Sequence, residues 1–433
     1  MQSTLEAPRP LPAQAGGPTD PSHDERLRRG LIDTDIERRT AWLLVTAFLL
    51  AIVAVPFAQA YVEHREDEES PLLELFRRRP TAEHLRQVEK DVEQSSFLKA
   101  YVQPRLQLQL TQRGRVGNKL AIIGQNGWLY YKPGVLHVGG PGVLDADVHA
   151  SRRKDALDAG EAPTATDPRP AIVGFHRALE QRGIRLVLMP VLDKVALAAQ
   201  HLHDRPLPAW PQNADYDALL KELGQAGVAV FDMRRELGNP PREALFLTQD
   251  THWTPGFMQG QARALARYLG EVTTLPSAAS PALERVPQPA SRVGDLVDML
   301  KLPEEQAFFL PQSVTVEQVR DASGAPWEPD PQADVLLLGD SFTNIFSLEG
   351  MGWGLAAGLA PHLALALGRP LDVIAQNDSG AFATRQSLAR ELAAGSDRLA
   401  GKRVVVWQFA ARELSVGDWK LLQYAVGNSA GPL

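Results

Sequence analysis

Cysteine is absent from all 433 residues. That excludes disulfides, thiol nucleophiles and thiolate-held zinc, and it suits an exported chain with no thiol to misoxidise. An excess of positive charge is also missing. The formal net charge is −7, so the basic footprint of a nucleic-acid binder is not there. No internal repeat is visible. Apolar content of 44% and charged content of 22% are ordinary for globular protein, and the length allows one large domain or two to three smaller ones.

Long hydrophobic runs are scarce as well, with one exception. Residues 41–62 are interrupted only by Thr46, Pro56 and Gln59, and about 20 apolar residues cross a bilayer core as a helix. A membrane span is expected here. Five arginines (Arg26, Arg28, Arg29, Arg38, Arg39) lie in the fifteen residues before it, and two (Arg65, Arg77) in the fifteen after it, among acids. The positive-inside rule then keeps residues 1–40, a Pro/Ala/Gly-rich disordered tail, in the cytoplasm and sends residues 63–433 outside. Ala58-Gln59-Ala60 has the form of a signal-peptidase site. Its n-region would be 40 residues long, which favours an uncleaved anchor.

Beyond the anchor, residues 63–120 read as a juxtamembrane helical region. Within it, residues 80–112 carry helical periodicity, with Pro104 as a kink or stop. Asn126-Gly127 between Ala121–Ile123 and Trp128–Tyr131 is a hairpin signal; its aromatic cluster reads as core before binding site. Residues 151–169 read as loop. Strands and helices then alternate: helix 171–183, strand 185–191, helix 214–226, strand 228–231, and a helix from about 255 to 269 opened by Thr254-Pro255. Residues 272–330 read as an insertion or long connection with short helical pieces. Alternation resumes with strand 334–338, helix 354–367, strand 371–375, helix 384–395 and strand 403–407. This pattern predicts a parallel sheet covered on both faces by helices.

Two short segments carry chemistry. Gly339-Asp340-Ser341 follows the apolar run 334–338, so Ser341 sits at the carboxyl end of a buried strand, where open α/β sheets place their sites. The competing reading of Asp340-Ser341 is a helix N-cap. A serine nucleophile needs a base, and the base needs a carboxylate. Among the ten histidines, His252 stands out. Asp250 lies two positions earlier, and an i, i+2 pair in extended backbone points to one side. Both segments are expected to follow strands of one sheet. His201-Leu202-His203-Asp204 offers no evident third metal ligand and reads as surface loop; no metal and no cofactor is expected.

Gly-Asp-Ser after a strand resembles the SGNH hydrolase superfamily. Here the Asp-x-His pair precedes the serine by about ninety residues, a circularly permuted order that resembles the AlgJ/AlgX-type alginate O-acetyltransferase family. Gly124-Gln125-Asn126-Gly127-Trp128-Leu129-Tyr130-Tyr131, the Pro-x-x-x-Lys of Pro190–Lys194, the His252-Trp253 pair and Val406-Trp407-Gln408-Phe409 agree with it. The resemblance spans roughly residues 80–425 and is closer to a membrane-anchored AlgJ, since no carbohydrate-binding module follows. It implies an SGNH-like three-layer α/β/α domain over 121–433, with a mostly parallel sheet, preceded by one transmembrane helix.

It also implies acetyl transfer to hydroxyls of an exported, alginate-like polysaccharide. Ser341 would be nucleophile, His252 base and Asp250 its orienter. The Ser341 N–H and either Asn377 or Gly380 are candidate oxyanion donors. Arg385 and Arg412 are candidate substrate contacts, each with surface charge as its plainer reading. Acetyl-CoA is cytoplasmic and the domain is expected in the periplasm, on the inner membrane. A membrane-bound O-acyltransferase partner is therefore expected to supply acetyl groups. An acetylesterase with the same triad and a non-catalytic scaffold of an export complex are the alternatives.

Overall fold

The chain's alternation of apolar runs and amphipathic helices is realised in a computed structural model that describes residues 37–66, 69–160, 164–202, 210–237, 244–277 and 280–426. The tail expected over 1–40 lies outside the described residues as far as residue 36, as do His203 and Asp204. The chain divides into two compact units, residues 1–101 and 102–433.

In the first unit the apolar run forms the helix Arg38–Arg65, which has an 18-residue window of mean hydropathy 2.4 and none of that window buried. Trp42, Phe48 and Phe57 point outward and exposed. Residues 38–58 rise about 30 Å, the thickness of a hydrocarbon core. Gln59, one of the three interruptions, is buried instead. Its Nε2 donates to the Ser95 carbonyl (2.8 Å) and its Oε1 accepts from the Phe97 N–H (2.9 Å). The polar end of the helix thus folds against the end of the helix Ala82–Ser95, whose Thr81 cap accepts from the His84 N–H.

In the second unit the helix expected over 80–112 resumes as Gln103–Gly114, with Pro104 in its first turn. A π-helical turn, Leu98–Val102, stands just before the proline, which itself has no N–H to give to the ladder. Strands β1 (Ala121–Ile123) and β2 (Leu129–Tyr131) form the expected antiparallel hairpin. Asn126 and Gly127 both take positive φ, as a tight turn demands.

The main sheet contains β3 (Arg185–Val191), β4 (Ala229–Val230), β7 (Val335–Gly339), β8 (Asp372–Ala375) and β9 (Val404–Ala410), in the order β4-β3-β9-β7-β8, every pair parallel. β7 and β9 are buried at every residue and β3 at all but its first. Successive strand residues face opposite sides, so both faces are covered. Helices Pro168–Glu180, Tyr216–Gln225 and Gly380–Ala393 pack on the sheet, while Pro255–Val272 packs against Leu359–Leu367. The fold is the SGNH-like α/β architecture expected.

Three expectations need correction. Residues 151–158 are not loop but the end of the helix Ala146–Asp158, capped by the Asp145 side chain. Residues 272–330 hold more than short helices. Strands β5 (Glu284–Arg292) and β6 (Gln312–Arg320) pair antiparallel over nine residues each, around the short helix Asp295–Leu300. Pro287 and Pro289 masked β5, because proline argues against an interior strand and is tolerated in a two-stranded ribbon with open edges. Finally, the Asp250–His252 segment does not follow a strand of the sheet, because Ala244–Leu247 before it is not one. That run makes one isolated bridge, Phe246 to Trp253.

Candidate active site

β7 ends at Gly339, and Ser341 opens the four-residue helix Ser341–Asn344. Asp340 is its N-cap: one carboxylate oxygen accepts from the Phe342 N–H (2.8 Å) and from Gln408 Nε2 (2.6 Å), the other from the Ala410 N–H (2.7 Å). Gln408 Oε1 in turn accepts from the Asp340 N–H and from Thr343 Oγ1. The N-cap reading therefore holds for Asp340. Its buried carboxylate joins the serine turn to β9 and leaves Ser341 half-buried at the surface of the sheet's carboxyl edge.

His252 arrives from a tight loop, not from a strand end. The Leu247 N–H donates to the His252 carbonyl and the Thr254 N–H to that of Leu245, pinning the loop as a small hairpin. Thr254 then caps the helix Pro255–Val272 as expected. His252 Nε2 lies 2.8 Å from Ser341 Oγ, and its Nδ1 lies 2.6 Å from Asp250 Oδ1. The ring packs edge-on to Phe342 at 4.8 Å between centroids. Asp250, His252 and Ser341 thus form one chain of hydrogen bonds.

Four donors converge on the Asp250 carboxylate. Oδ1 takes the His252 ring and its backbone N–H (3.1 Å); Oδ2 takes the Asp295 N–H (3.1 Å) and Trp353 Nε1 (3.0 Å). Burial alone would raise this carboxyl, but the His252 hydrogen bond and charge outweigh it and hold it well below the usual range. The same pairing works on the imidazole, which burial would lower and Asp250 raises. A charged, hydrogen-bonded acid thus backs a ring whose other nitrogen faces a hydroxyl. That arrangement suits acceptance of a proton from Ser341 at Nε2 with the other proton kept on Nδ1.

Asp295, Trp353 and Lys194 complete the surroundings. Lys194 is buried beneath the loop, its Nζ donating to the carbonyls of Thr248 (2.8 Å) and Asp250 (3.1 Å) and lying over the rings of Trp128 and Tyr130. Burial pushes its ammonium down to about 7. The aromatic cluster of β2 is mainly core: Tyr130 is fully buried, and its hydroxyl donates to the Ala198 carbonyl. Trp128 stacks on His201. The Pro-x-x-x-Lys motif was legible in the sequence, but the lysine's role was not. Asp295 lay inside the presumed insertion, and Trp353 just before a helix expected from 354 that begins at Leu359.

The remaining candidates separate. Asn377 is exposed, and its Oδ1 accepts from Asn344 Nδ2 (2.8 Å), one turn beyond Ser341. Gly380 packs so tightly on Asp340 that a Cβ there would lie 2.3 Å from the Asp340 Cβ. Both therefore border the serine turn. Arg385 does not. It is fully buried, stacked on Trp407 and Trp419, and donates to the carbonyls of Ala381 and Lys420. It is neither a substrate contact nor a surface charge. Arg412 is close to the site, over the rings of Tyr131 and Phe342, but it is mostly buried and paired with Asp193 at 3.1 Å. Asp250, His252 and Asp295 offer ligand atoms within 4.8 Å of one another. A cation there would have to break the 2.6 Å bond between Asp250 and His252, so the cluster suits proton transfer better than metal binding.

Comparison with known proteins bears on the fold and the family. The family described as "SGNH hydrolase-like domain, acetyltransferase AlgX" matches residues 121–411. "Probable alginate O-acetylase AlgJ" of Pseudomonas aeruginosa is 28% identical over 236 residues, 53% of this chain and 60% of that relative. The protein of the same name from Pseudomonas putida is 26% identical over 306 residues, 67% of this chain and 75% of that relative. The chain thus spans less than two thirds of the first relative. Among solved structures, the O-acetyltransferase domain of Pseudomonas putida AlgJ superimposes with a TM-score of 0.51 at 22% identity, over 69% of this chain and 93% of that one.

Proposed function

We propose, because the chain belongs to the family of SGNH hydrolase-like AlgX acetyltransferase domains, that it is an O-acetyltransferase acting on hydroxyls of an alginate-like exported polysaccharide. The observation that carries this reading is the relay from Asp250 through His252 to Ser341, at 2.6 and 2.8 Å. His252 takes the Ser341 proton as Oγ attacks the acetyl carbonyl, and the imidazolium is stabilised by Asp250. The oxyanion is met by the Ser341 N–H, with Asn377 or the Gly380 N–H as the second donor. Collapse of the intermediate releases the donor's alcohol or thiol, protonated by His252, and leaves acetyl-Ser341. A sugar hydroxyl, deprotonated by His252, then attacks the ester; acetyl passes to the sugar and Ser341 recovers its proton.

The helix Arg38–Arg65 is read as a single-pass anchor in the inner membrane, with the catalytic domain in the periplasm. The asymmetry of arginines around it supports that orientation. Acetyl-CoA stays on the other side, so the donor is passed on by a membrane-bound O-acyltransferase, beside which the anchor holds this domain.

The test uses the full chain in detergent with an activated acetyl ester and uronate oligosaccharides, following acetyl-sugar, free acetate and acetyl-enzyme by mass spectrometry. Acetyl-sugar that disappears in Ser341→Ala is expected, with a loss on the order of 10⁴–10⁶. Free acetate alone would assign an esterase. Turnover unchanged in Ser341→Ala would refute both readings that rest on the serine, and no product from the parent protein would leave a scaffold.

A further inference from the structure

The segment expected to be a mere insertion supplies a second carboxylate to the histidine. Gly294 presses so closely on the Asp250 loop that a Cβ would lie 2.2 Å from the Gln249 carbonyl oxygen. Around this contact the two segments hold each other reciprocally. The Asp295 N–H donates to Asp250 Oδ2 (3.1 Å), and the Leu296 N–H to the Gln249 carbonyl (3.2 Å). In return, Asp295 Oδ1 accepts from the Thr251 N–H (2.7 Å) and from Thr251 Oγ1 (3.1 Å). That leaves Asp295 Oδ2 at 3.8 Å from His252 Nδ1, on the ring edge already bonded to Asp250.

We infer that Asp295 is a second positioning carboxylate for the base, fixing the Asp250–His252 loop through Thr251 and adding negative charge beside the imidazolium that forms when Ser341 is deprotonated. This rests on the triad reading above. The charged groups that face Asp295 are Asp250, His252 and the buried Lys194; Asp298, on its own helix, is engaged by Arg292. Burial and then the neighbouring Asp250 charge push Asp295 up to about 6, while His252 opposes the rise. Ionisation of Asp295 and protonation of His252 therefore favour each other. Above about pH 6 the imidazole faces two carboxylates, and both raise its basicity against burial and the nearby Arg412 charge.

An unscreened charge at this separation is worth on the order of one pH unit even at water-like dielectric. Asp295→Asn keeps an oxygen for Thr251 and removes the charge. It should move the acid limb of the kcat/KM profile down by about one unit, because a less basic His252 stays neutral to lower pH. It should also lower kcat at the plateau by on the order of tenfold. Asp295→Ala loses the Thr251 contacts too and should fall further, and Asp295→Glu should recover part of the limb.

An independent readout is the His252 titration by NMR in full-length Ser341→Ala, which needs no turnover. Adding Asp295→Asn should lower the His252 pKa by about one unit. An unmoved pKa and an unmoved limb would overturn the inference, including the case where kcat falls through a structural loss alone. Full activity in Ser341→Ala would instead remove the triad reading, while the NMR titration would still decide whether Asp295 acts on His252.

Discussion

Asp250→Asn probes the carboxylate on which four donors converge. The Asp250 side chain is 2% exposed, so water cannot replace a lost partner. Placing the amide oxygen at the Oδ1 position keeps the His252 contacts but turns the NH₂ group toward two donors, the Asp295 N–H and Trp353 Nε1. The flipped amide serves those two and opposes the His252 backbone N–H. It also forces Nδ1 to become the acceptor, which puts the ring proton on Nε2, where the Ser341 proton must go. Either way two charge-assisted bonds vanish, at about 1.5–3 kcal/mol each, so the domain should lose about 3–6 kcal/mol. Activity should fall on the order of 10⁴-fold. The pH dependence has a definite sign. Asp250 is held below its ordinary range in the folded state, so its contribution is present above the unfolded value of about 4 and is lost as pH falls below it. The deficit of Asp250→Asn should therefore narrow under acid. Urea unfolding at several pH values and ester turnover measure both effects. A variant as stable as the parent at pH 7, with more than a tenth of its activity, would refute the reasoning.

Other consequences are simpler to read. Lys194→Met leaves the Thr248 and Asp250 carbonyls without their buried donor and should cost about 2–4 kcal/mol by chemical denaturation. Since Lys194 is pushed down to about 7 when folded, against 10.5 as the ordinary value, the unfolded chain binds the extra proton between those values. Stability should rise with pH across that window, and the rise should flatten in Lys194→Met. Gly380→Ala forces a methyl against Asp340; about 1–3 kcal/mol of overpacking is expected, with turnover falling more than stability because the serine turn must shift. Arg385→Lys loses the planar stack between Trp407 and Trp419 and should lower the melting temperature while leaving KM unchanged. Deleting residues 38–58 should move the protein from the membrane fraction to the soluble fraction.

Local pattern was enough for the parts of this protein governed by nearest neighbours along the chain. The apolar run that became Arg38–Arg65, the buried strands β3, β7 and β9, the Thr254 cap and the Asn126-Gly127 turn all follow from periodicity and backbone preference. Even the Asp250–His252 pair was legible, because two residues in extended chain share a side. Its proposed partner Ser341, just beyond β7, was reached only by joining two weak motifs through an expected sheet. What closes the site comes from distant segments. Asp295 reaches Asp250 across 45 positions, Trp353 across 103, and Gln408 reaches Asp340 across 68. A hydrogen bond between such residues leaves no periodic trace, since its geometry is set by which strands neighbour each other, not by spacing in the chain. For the same reason Arg385 looked like a surface charge and proved to be core. Its aromatic partners, Trp407 and Trp419, lie in and just beyond β9, and only the order β9-β7-β8 brings them under the helix Gly380–Ala393. The sequence determined the elements and pointed to the side chains of the proposed relay. The tertiary structure decided which charges stand beside them, because burial and long-range contact are properties of the packed sheet.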